Sequence, residues 1–241
     1  MPELFRHLPA RVPRIQRHPE ALASHAILLA GLSAAALAAC AKVGEDVFSN
    51  ETAPFDEPIR AWALSHQSAT GERIFLVITN LGGPSVVISL SVVAGLWLRE
   101  QRNLPIAGAV MLAPATALIL FMSLKRLYRR KRPAGGTRLH QKTYSFPSGH
   151  SASSAAIFGT LAYVLWREEM LSAPSAWMLA LAPPLLIGSS RVYLDVHWAT
   201  DVLGGWSVGG LVAAMSAVVY ERVRTLTRQQ GIPVSGRSLS S

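Results

Sequence analysis

The 241-residue chain has one cysteine and few charged residues, and both shortages narrow its class. A single cysteine, Cys40, excludes an intrachain disulfide. Only 15% of the residues are charged, whereas 50% are hydrophobic and the mean hydropathy is +0.30. The apolar residues stand in long blocks rather than at scattered helical spacing. This pattern indicates membrane spans and excludes an ordinary soluble domain.

Acidic residues are scarce as well, with 14 Asp and Glu against 23 Lys and Arg and a net charge of +9. The basic residues fall in the polar breaks between the apolar blocks, where lipid headgroups are the nearest anions. No nucleic-acid motif accompanies the charge, so we expect membrane lipids and no nucleic acid as partners. The sequence shows no internal repeat and does not identify protein partners.

The apolar blocks predict an all-α, polytopic membrane protein with six transmembrane helices. The predicted spans are Ala21–Ala41, Ile74–Leu98, Leu104–Leu124, Ser148–Trp166, Ser175–Ser190 and Thr200–Tyr220. The second span contains Gly82-Gly83-Pro84, and we expect a kink near Pro84. The sixth contains Gly205 and Gly209, a spacing that permits close packing of two helices.

Six spans place both termini on one side of the membrane. Lys and Arg divide almost evenly between the two sides, but setting aside Lys125, Arg132 and Arg191 as ligand-binding leaves an excess beside the termini. We therefore expect an inner (plasma) membrane protein with its polar clusters on the outer, periplasmic face. The expected domains are a basic cytoplasmic tail (1–20), a six-span membrane domain (21–220) and a disordered cytoplasmic tail (221–241). A cleaved lipoprotein-type signal ending near Cys40 is the alternative for the N-terminal span.

The loop after the third predicted span is basic and has no carboxylate near it in sequence. Its cations are Lys125, Arg126, Arg129, Arg130, Lys131, Arg132, Arg138 and Lys142. A collar on anionic lipid accounts for Arg126, Arg129, Arg130 and Lys131. Lys125 and Arg132 are seven residues apart, so we expect them on one face of a helix that Pro133 stops.

The run Pro147-Ser148-Gly149-His150 predicts the start of a helix, with Ser148 as the N-cap and unpaired N–H groups at Gly149 and His150. The N-terminus of a helix binds anions, because its dipole and its free donors both favour negative charge. An ordinary capped span with a stray histidine would give the same pattern, so this motif alone leaves both interpretations open.

His197 and Asp201 are four residues apart, which places them on one face of a predicted helix. The carboxylate can hold one imidazole N–H and leave the other nitrogen free to attack. A purely structural His–Asp pair is the alternative. Charged groups between apolar segments cost about 2.5–3.5 kcal/mol each near a bilayer centre, so such clusters indicate a functional site.

Taken together, the three clusters resemble the type 2 phosphatidic acid phosphatase (PAP2) family, which extends to the vanadium haloperoxidases. The family pattern is K-x6-RP, PSGH and SR-x5-H-x3-D. It stands complete here as Lys125…Arg132-Pro133, Pro147-Ser148-Gly149-His150 and Ser190-Arg191…His197…Asp201. The resemblance implies an integral-membrane phosphatase acting on a lipid phosphomonoester or pyrophosphate, such as phosphatidate, phosphatidylglycerol phosphate or undecaprenyl pyrophosphate.

The resemblance also implies a role for each residue. His197 attacks phosphorus and forms a phosphohistidine, Asp201 orients it, and His150 protonates the leaving alkoxide. The phosphate-binding groups are Lys125, Arg132, Ser148, Gly149 and Arg191. Converging cations would repel a dication, so we expect no metal and no other cofactor. A non-catalytic lipid-binding or transport protein on the same scaffold is the alternative function, and a vanadate-dependent haloperoxidase is disfavoured because those relatives are soluble.

Asp195 departs from the family pattern, since many relatives carry a small residue such as glycine at this place. Its carboxylate could repel the substrate phosphate, raise the pKa of His197, face solvent or pair with an arginine of the basic loop. The sequence leaves these four alternatives open.

Overall fold

The structure is a computed structural model that describes residues 19–101, 104–134 and 143–229. All the secondary structure of these ranges is helical, which confirms the predicted all-α class. The helices are α1 (Pro19–Phe48), α2 (Ala53–Ser65), α3 (Ala69–Leu81), α4 (Pro84–Gln101), α5 (Leu104–Tyr128), α6 (Gly149–Arg167), α7 (Ala173–Tyr193) and α8 (Ala199–Gln229).

Three segments in the described ranges are long and apolar enough to cross a membrane, namely Ile27–Phe48, Val110–Tyr128 and Ala199–Leu226. Helices α3 and α4 pass the same test only as a pair, with a bend of 43° at the break between them. The kink predicted near Pro84 is therefore confirmed as a break, since proline has no N–H to continue α3 but suits the first turn of α4. The count of six spans stays a prediction.

Helix α6 is the centre of the bundle and packs against α4, α5, α7 and α8. Its apolar side chains Ile157 and Val164 join a core cluster with Val110 of α5 and Tyr220 of α8. Because neighbouring helices rather than lipid surround α6, it can bury hydroxyl groups as well as apolar ones. The start of α6 is packed against α5 and α8.

Helices α6 and α8 approach each other closely at two glycines. A Cβ atom on Gly205 would lie 2.6 Å from the carbonyl oxygen of Ser148, and one on Gly209 would lie 2.3 Å from that of Ala152. No side chain fits at these distances, which confirms the packing role predicted for this pair of glycines.

The prediction of a disordered tail from residue 221 is wrong for residues 221–229, because α8 continues to Gln229. The reason is that Glu221 packs on the end of α6, where it accepts hydrogen bonds from Tyr163 Oη at 2.8 Å and Arg167 Nη2 at 3.0 Å. Residues 230–241 lie outside the described ranges, as does the predicted basic tail up to residue 18.

Candidate active site

The three sequence motifs meet where the ends of four helices come together. Lys125 lies in the last turn of α5, Arg191 in the last turn of α7, and Asp201 in the first turn of α8. The start of α6 joins them, since Ser148 N donates to Asp201 O at 2.9 Å. Lys125, Arg132, Arg191 and His197 all lie close enough to act electrostatically on His150.

His197 and Asp201 are in contact, but not along a helix face as the spacing predicted. Helix α8 begins only at Ala199, so His197 lies in the turn before it. Its Nδ1 atom is 3.2 Å from Asp201 Oδ2, and the same carboxylate oxygen accepts the Trp198 N–H at 2.9 Å. Asp201 thus reaches back over the first turn like the acidic residue of a capping box, and this fixes its position.

Lys125 and Arg132 both reach the site, although the prediction that they share a helix face is wrong. Helix α5 ends at Tyr128, and Arg129 has a left-handed backbone with φ 48°, so the chain leaves the helix axis before Arg132. Arg132 Nη1 donates to Val196 O at 2.6 Å and lies 3.0 Å from His197 Nε2. The cation therefore sits directly at the outer nitrogen of the imidazole.

The ammonium group of Lys125 holds the segment that leads into α6. It is buried and donates to Tyr144 O at 2.6 Å and to Ser145 O at 3.0 Å. The Ser145 hydroxyl in turn donates to Asp201 Oδ2. An ammonium group has three N–H donors, so one remains for a ligand.

Helix α6 starts as the sequence predicted. Ser148 is the N-cap, with an extended backbone and a hydroxyl that accepts from Ser151 Oγ at 3.0 Å. A Cβ atom on Gly149 would lie 3.0 Å from the ring of Phe121, so glycine lets the start of α6 pack tightly on α5. His150 lies in the first turn, beside Gly82 at the break between α3 and α4.

Arg191 presents unpaired donors inside the protein. Its side chain is 1% exposed, and Nη1 donates to Thr79 Oγ1 of α3 at 2.7 Å. Its Nε and Nη2 atoms have no hydrogen-bond partner among the described residues. Buried, charged donors without acceptors are costly, so this guanidinium is suited to an anionic ligand.

The electrostatic surroundings keep His197 neutral. Burial lowers the pKa of its imidazole to about 3, and the charges of Arg132 and Lys125 act in the same direction, whereas the hydrogen bond and charge of Asp201 raise it. Only the neutral imidazole has a free electron pair on Nε2, so this environment maintains the form that can attack an electrophile.

Two groups at the site were assigned differently or missed by sequence reasoning. Arg130 was assigned to a lipid collar, which is wrong, because its guanidinium donates to Asp201 Oδ1 at 2.7 Å and to Asp56 Oδ2 of α2 at 2.6 Å. No signal in the sequence pointed to Asp56. Arg138 and Lys142 lie outside the described residues.

Asp195 does not face solvent, nor does it pair with an arginine of the basic loop. It is 3% exposed and forms a bidentate ion pair with Arg60 of α2, with distances of 2.7 Å to Nε and 3.0 Å to Nη2. Its backbone is left-handed, with φ 52°, a conformation that glycine adopts without steric cost. The donor to this carboxylate was not predictable from local sequence, since Arg60 is 135 residues away.

Comparison with known proteins supports the resemblance to the PAP2 family. The profile of the PAP2 superfamily matches residues 104–225. Phosphatidylglycerophosphatase B of Bacillus subtilis is 32% identical over 181 residues, which cover 74% of this chain and 89% of that protein. Undecaprenyl-diphosphatase of Sulfolobus acidocaldarius is 38% identical over 161 residues, covering 64% of this chain and 73% of that protein.

Solved structures agree with the sequences. The crystal structure of a transmembrane PAP2-type phosphatidylglycerolphosphate phosphatase from Bacillus subtilis matches with a TM-score of 0.73 and 28% identity. The match covers 79% of this chain and 96% of that one. The resemblance inferred from the three motifs is confirmed, and the chain belongs to the PAP2 superfamily.

Proposed function

We propose that this protein is an integral-membrane lipid phosphate phosphatase that hydrolyses a phosphomonoester or pyrophosphate through a phosphohistidine intermediate. Its candidate substrates are phosphatidate, phosphatidylglycerol phosphate and undecaprenyl pyrophosphate. Two of these classes are those in the names of the relatives from Bacillus subtilis and Sulfolobus acidocaldarius.

The observation that carries the proposal is the pair of buried guanidinium donors of Arg191 that have no acceptor among the described residues. These donors, Nε and Nη2, lie close to two further cations, Lys125 and Arg132. A phosphoryl group offers several anionic oxygens to such donors at once. The N–H groups at the start of α6, at Gly149 and His150, add a helix terminus that favours the same charge.

The proposed reaction uses two histidines. His197 Nε2 attacks phosphorus as the bond to the leaving oxygen breaks, and His150 supplies the proton that the leaving oxygen takes up. Water then attacks phosphorus and gives a proton to His150 as the P–N bond breaks, which releases inorganic phosphate and restores both histidines. The phosphoryl group takes the place of the hydrogen bond between Nε2 and Arg132, while Nδ1–H continues to donate to Asp201, whose charge stabilises the positive imidazole.

Fixed positive charge supplies much of the rate in this scheme. Hydrolysis of phosphate monoesters is among the slowest uncatalysed reactions, with enhancements up to about 10²¹ in enzymes. There is little covalent work for the protein to do, so positioning and preorganised electrostatics must lower the barrier. Lys125 and Arg191 are buried, and the half-buried Arg132 is held by its hydrogen bond to Val196 O, so little reorganisation is needed when charge shifts to the leaving oxygen.

The test is phosphate release by the purified protein from a panel of lipid phosphates and pyrophosphates in detergent micelles. We expect turnover of at least one member, and a ³²P-labelled protein after acid-free quenching that His197→Gln abolishes. Binding of these lipids without phosphate release would instead support a non-catalytic lipid-binding or transport protein on the same scaffold.

We further propose that the site faces the outside of the inner membrane. The support is the excess of Lys and Arg on the side of the termini once the ligand-binding cations are set aside. Ala134, an exposed residue just after Arg132, is a suitable labelling position. In a Cys40→Ser background, Ala134→Cys should react with an impermeant thiol reagent in intact spheroplasts. Reaction only after lysis would place the site on the cytoplasmic face.

A further inference from the structure

Arg130 is built into the protein in a way that its exposed neighbours are not. Its side chain is 15% exposed, whereas Arg126, Arg129 and Lys131 are exposed at the surface. One terminal nitrogen, Nη1, donates to Thr200 Oγ1 and Asp201 Oδ1, both at 2.7 Å. The other, Nη2, donates to two side-chain oxygens, one on α2 and one on the residue just before it. A lipid-facing arginine would not have all its terminal donors engaged by the protein.

Asp56 of α2 binds both Arg130 and Thr200. It is 2% exposed, and its Oδ2 atom accepts from Arg130 Nη2 at 2.6 Å and from Thr200 Oγ1 at 2.7 Å. Its Oδ1 atom accepts the backbone N–H of Thr200 at 2.9 Å. That N–H is one of the donors that a helix N-terminus leaves unpaired, so Asp56 fixes the first turn of α8 as well as Arg130.

The two oxygens of Asp201 have separate partners as a result. Oδ1 accepts from Arg130, while Oδ2 accepts from Trp198 N and faces Nδ1 of His197. A carboxylate fixed at both oxygens cannot rotate away from the imidazole. Arg130 therefore holds the Oδ1 side of the carboxylate, while Ser145 and Trp198 hold Oδ2 towards His197, and Arg130 does not touch the reacting atoms.

The geometry points to Arg130 and Asp56 as positioning residues of the nucleophile: Asp56 orients Arg130, and Arg130 holds Asp201 so that its Oδ2 atom orients His197. This inference rests on the proposed role of His197 as the nucleophile. It adds a contribution from α2, which lies outside the three motifs, and it gives one arginine of the basic loop a function in the reaction.

The same contacts let the charge of Arg130 offset those of Asp56 and Asp201. Without Arg130, Asp56 and Asp201 would be two buried carboxylates that had lost the cation they share. The uncompensated negative charge would favour a proton on the His197–Asp201 pair, and a protonated imidazole cannot attack. The other charged or titratable groups that face this pair are Lys125 from α5, Arg132 from the segment after it, His150 from α6 and Arg191 from α7.

The experiment compares Arg130→Gln with Arg126→Gln, which removes the same charge from an exposed position on the same loop. We expect kcat of Arg130→Gln to fall on the order of 100-fold with KM nearly unchanged, because a small misplacement of a catalytic group has effects of that size. Arg130→Lys should recover part of the loss, since one ammonium can bridge some of the acceptors. Arg126→Gln should retain wild-type kcat.

A second variant separates positioning from folding. In Arg130→Gln the acid limb of kcat/KM should move to higher pH, and in Arg130→Gln/Asp56→Asn it should move back, because the extra carboxylate charge is gone. A merely structural role would lower the amount of folded protein without moving the limb. Wild-type kcat and an unmoved limb in folded Arg130→Gln would overturn the inference.

A readout without turnover distinguishes this inference from the proposed function. Titration of ¹⁵N-histidine-labelled protein by NMR, with His197 assigned from His197→Gln, should show the imidazole of His197 protonating at higher pH in Arg130→Gln than in the wild type. An upward shift in a protein that hydrolyses no lipid phosphate would refute the function and keep the positioning. An unchanged titration in an active enzyme would refute the positioning alone.

Discussion

Arg132 Nη1 lies 3.0 Å from His197 Nε2, and this contact fixes the tautomer of the histidine. A guanidinium has donors and no acceptor, so Nε2 must accept and cannot carry a proton. The proton of the neutral ring is then on Nδ1, which faces Asp201 Oδ2 at 3.2 Å. The electron pair of Nε2 therefore points to the cation that is suited to bind a phosphoryl oxygen.

The first prediction separates the nucleophile from the acid. His197→Ala should eliminate turnover of every substrate, because no phosphoenzyme can form. His150→Ala should retain measurable hydrolysis of an aryl phosphate with an acidic phenol, since that leaving group needs no proton. Rates are measured with both variants on a lipid phosphate and on the aryl phosphate, after circular dichroism has verified helical folding. Equal residual activity on the aryl phosphate would remove the basis for two different roles.

The second prediction concerns metals. Phosphate release should survive EDTA, because buried cations already neutralise the phosphoryl charge. Among the described residues no group of three His, Cys, Asp or Glu side chains has the arrangement to hold a metal ion. Vanadate, which can mimic pentacoordinate phosphorus, should inhibit. Loss of activity in EDTA with recovery on adding magnesium or zinc would contradict the expectation, as would insensitivity to millimolar vanadate.

The third prediction is a pH dependence of stability. The pKa of His197 is lowered to about 3 in the folded protein, from an ordinary value of 6.5, chiefly by burial. Between these values the unfolded chain binds a proton that the folded protein does not, so the free energy of unfolding falls as the pH falls. From pH 6.5 to 5 this group should cost about 1–2 kcal/mol.

Unfolding in detergent at both pH values checks this third prediction. His197→Gln should lose less stability on acidification than the wild type, whereas His66→Gln, which changes an exposed histidine of the segment after α2, should behave like the wild type. The same acid dependence in His197→Gln and the wild type would show that other groups account for it.

Local patterns predicted the parts of the site that local chemistry determines. The N-cap at Ser148 follows from a few neighbouring residues. The spacing of His197 and Asp201 predicted their contact, although His197 lies in the turn before α8 and not on its face. The path of the chain to Arg132 was predicted wrongly, because nothing in the sequence signals the left-handed backbone of Arg129. The contact of Arg130 with Asp56 joins residues 74 positions apart, and no local pattern records such a pair.

The fourth prediction tests the packing of α6 on α8. Gly209→Ala should destabilise the protein by about 1–3 kcal/mol, the range for overpacked sites, because its Cβ would lie 2.3 Å from Ala152 O. Gly210→Ala is the matched control on the same helix, since its nearest neighbour would be Ala36 Cβ at 4.0 Å. We expect that control to be neutral or to stabilise by up to about 1 kcal/mol. Equal unfolding midpoints for the two variants would contradict the close approach.

The last prediction concerns Asp195, whose left-handed backbone and ion pair with Arg60 act on stability in opposite directions. Asp195→Ala and Asp195→Gly both remove the ion pair, but only alanine retains the steric cost of φ 52°. The glycine variant should therefore be more stable by about 1 kcal/mol, once the greater flexibility of unfolded glycine is allowed for.

Kinetics of the same two variants decide whether the Asp195 carboxylate repels substrate. Arg60 already neutralises it at 2.7 Å, so we expect KM for the lipid phosphate to stay within about twofold of the wild type in both variants, as for changes outside a binding site. Repulsion of the phosphate would instead lower KM in both. Equal free energies of unfolding for alanine and glycine at position 195 would show that the backbone there carries no strain.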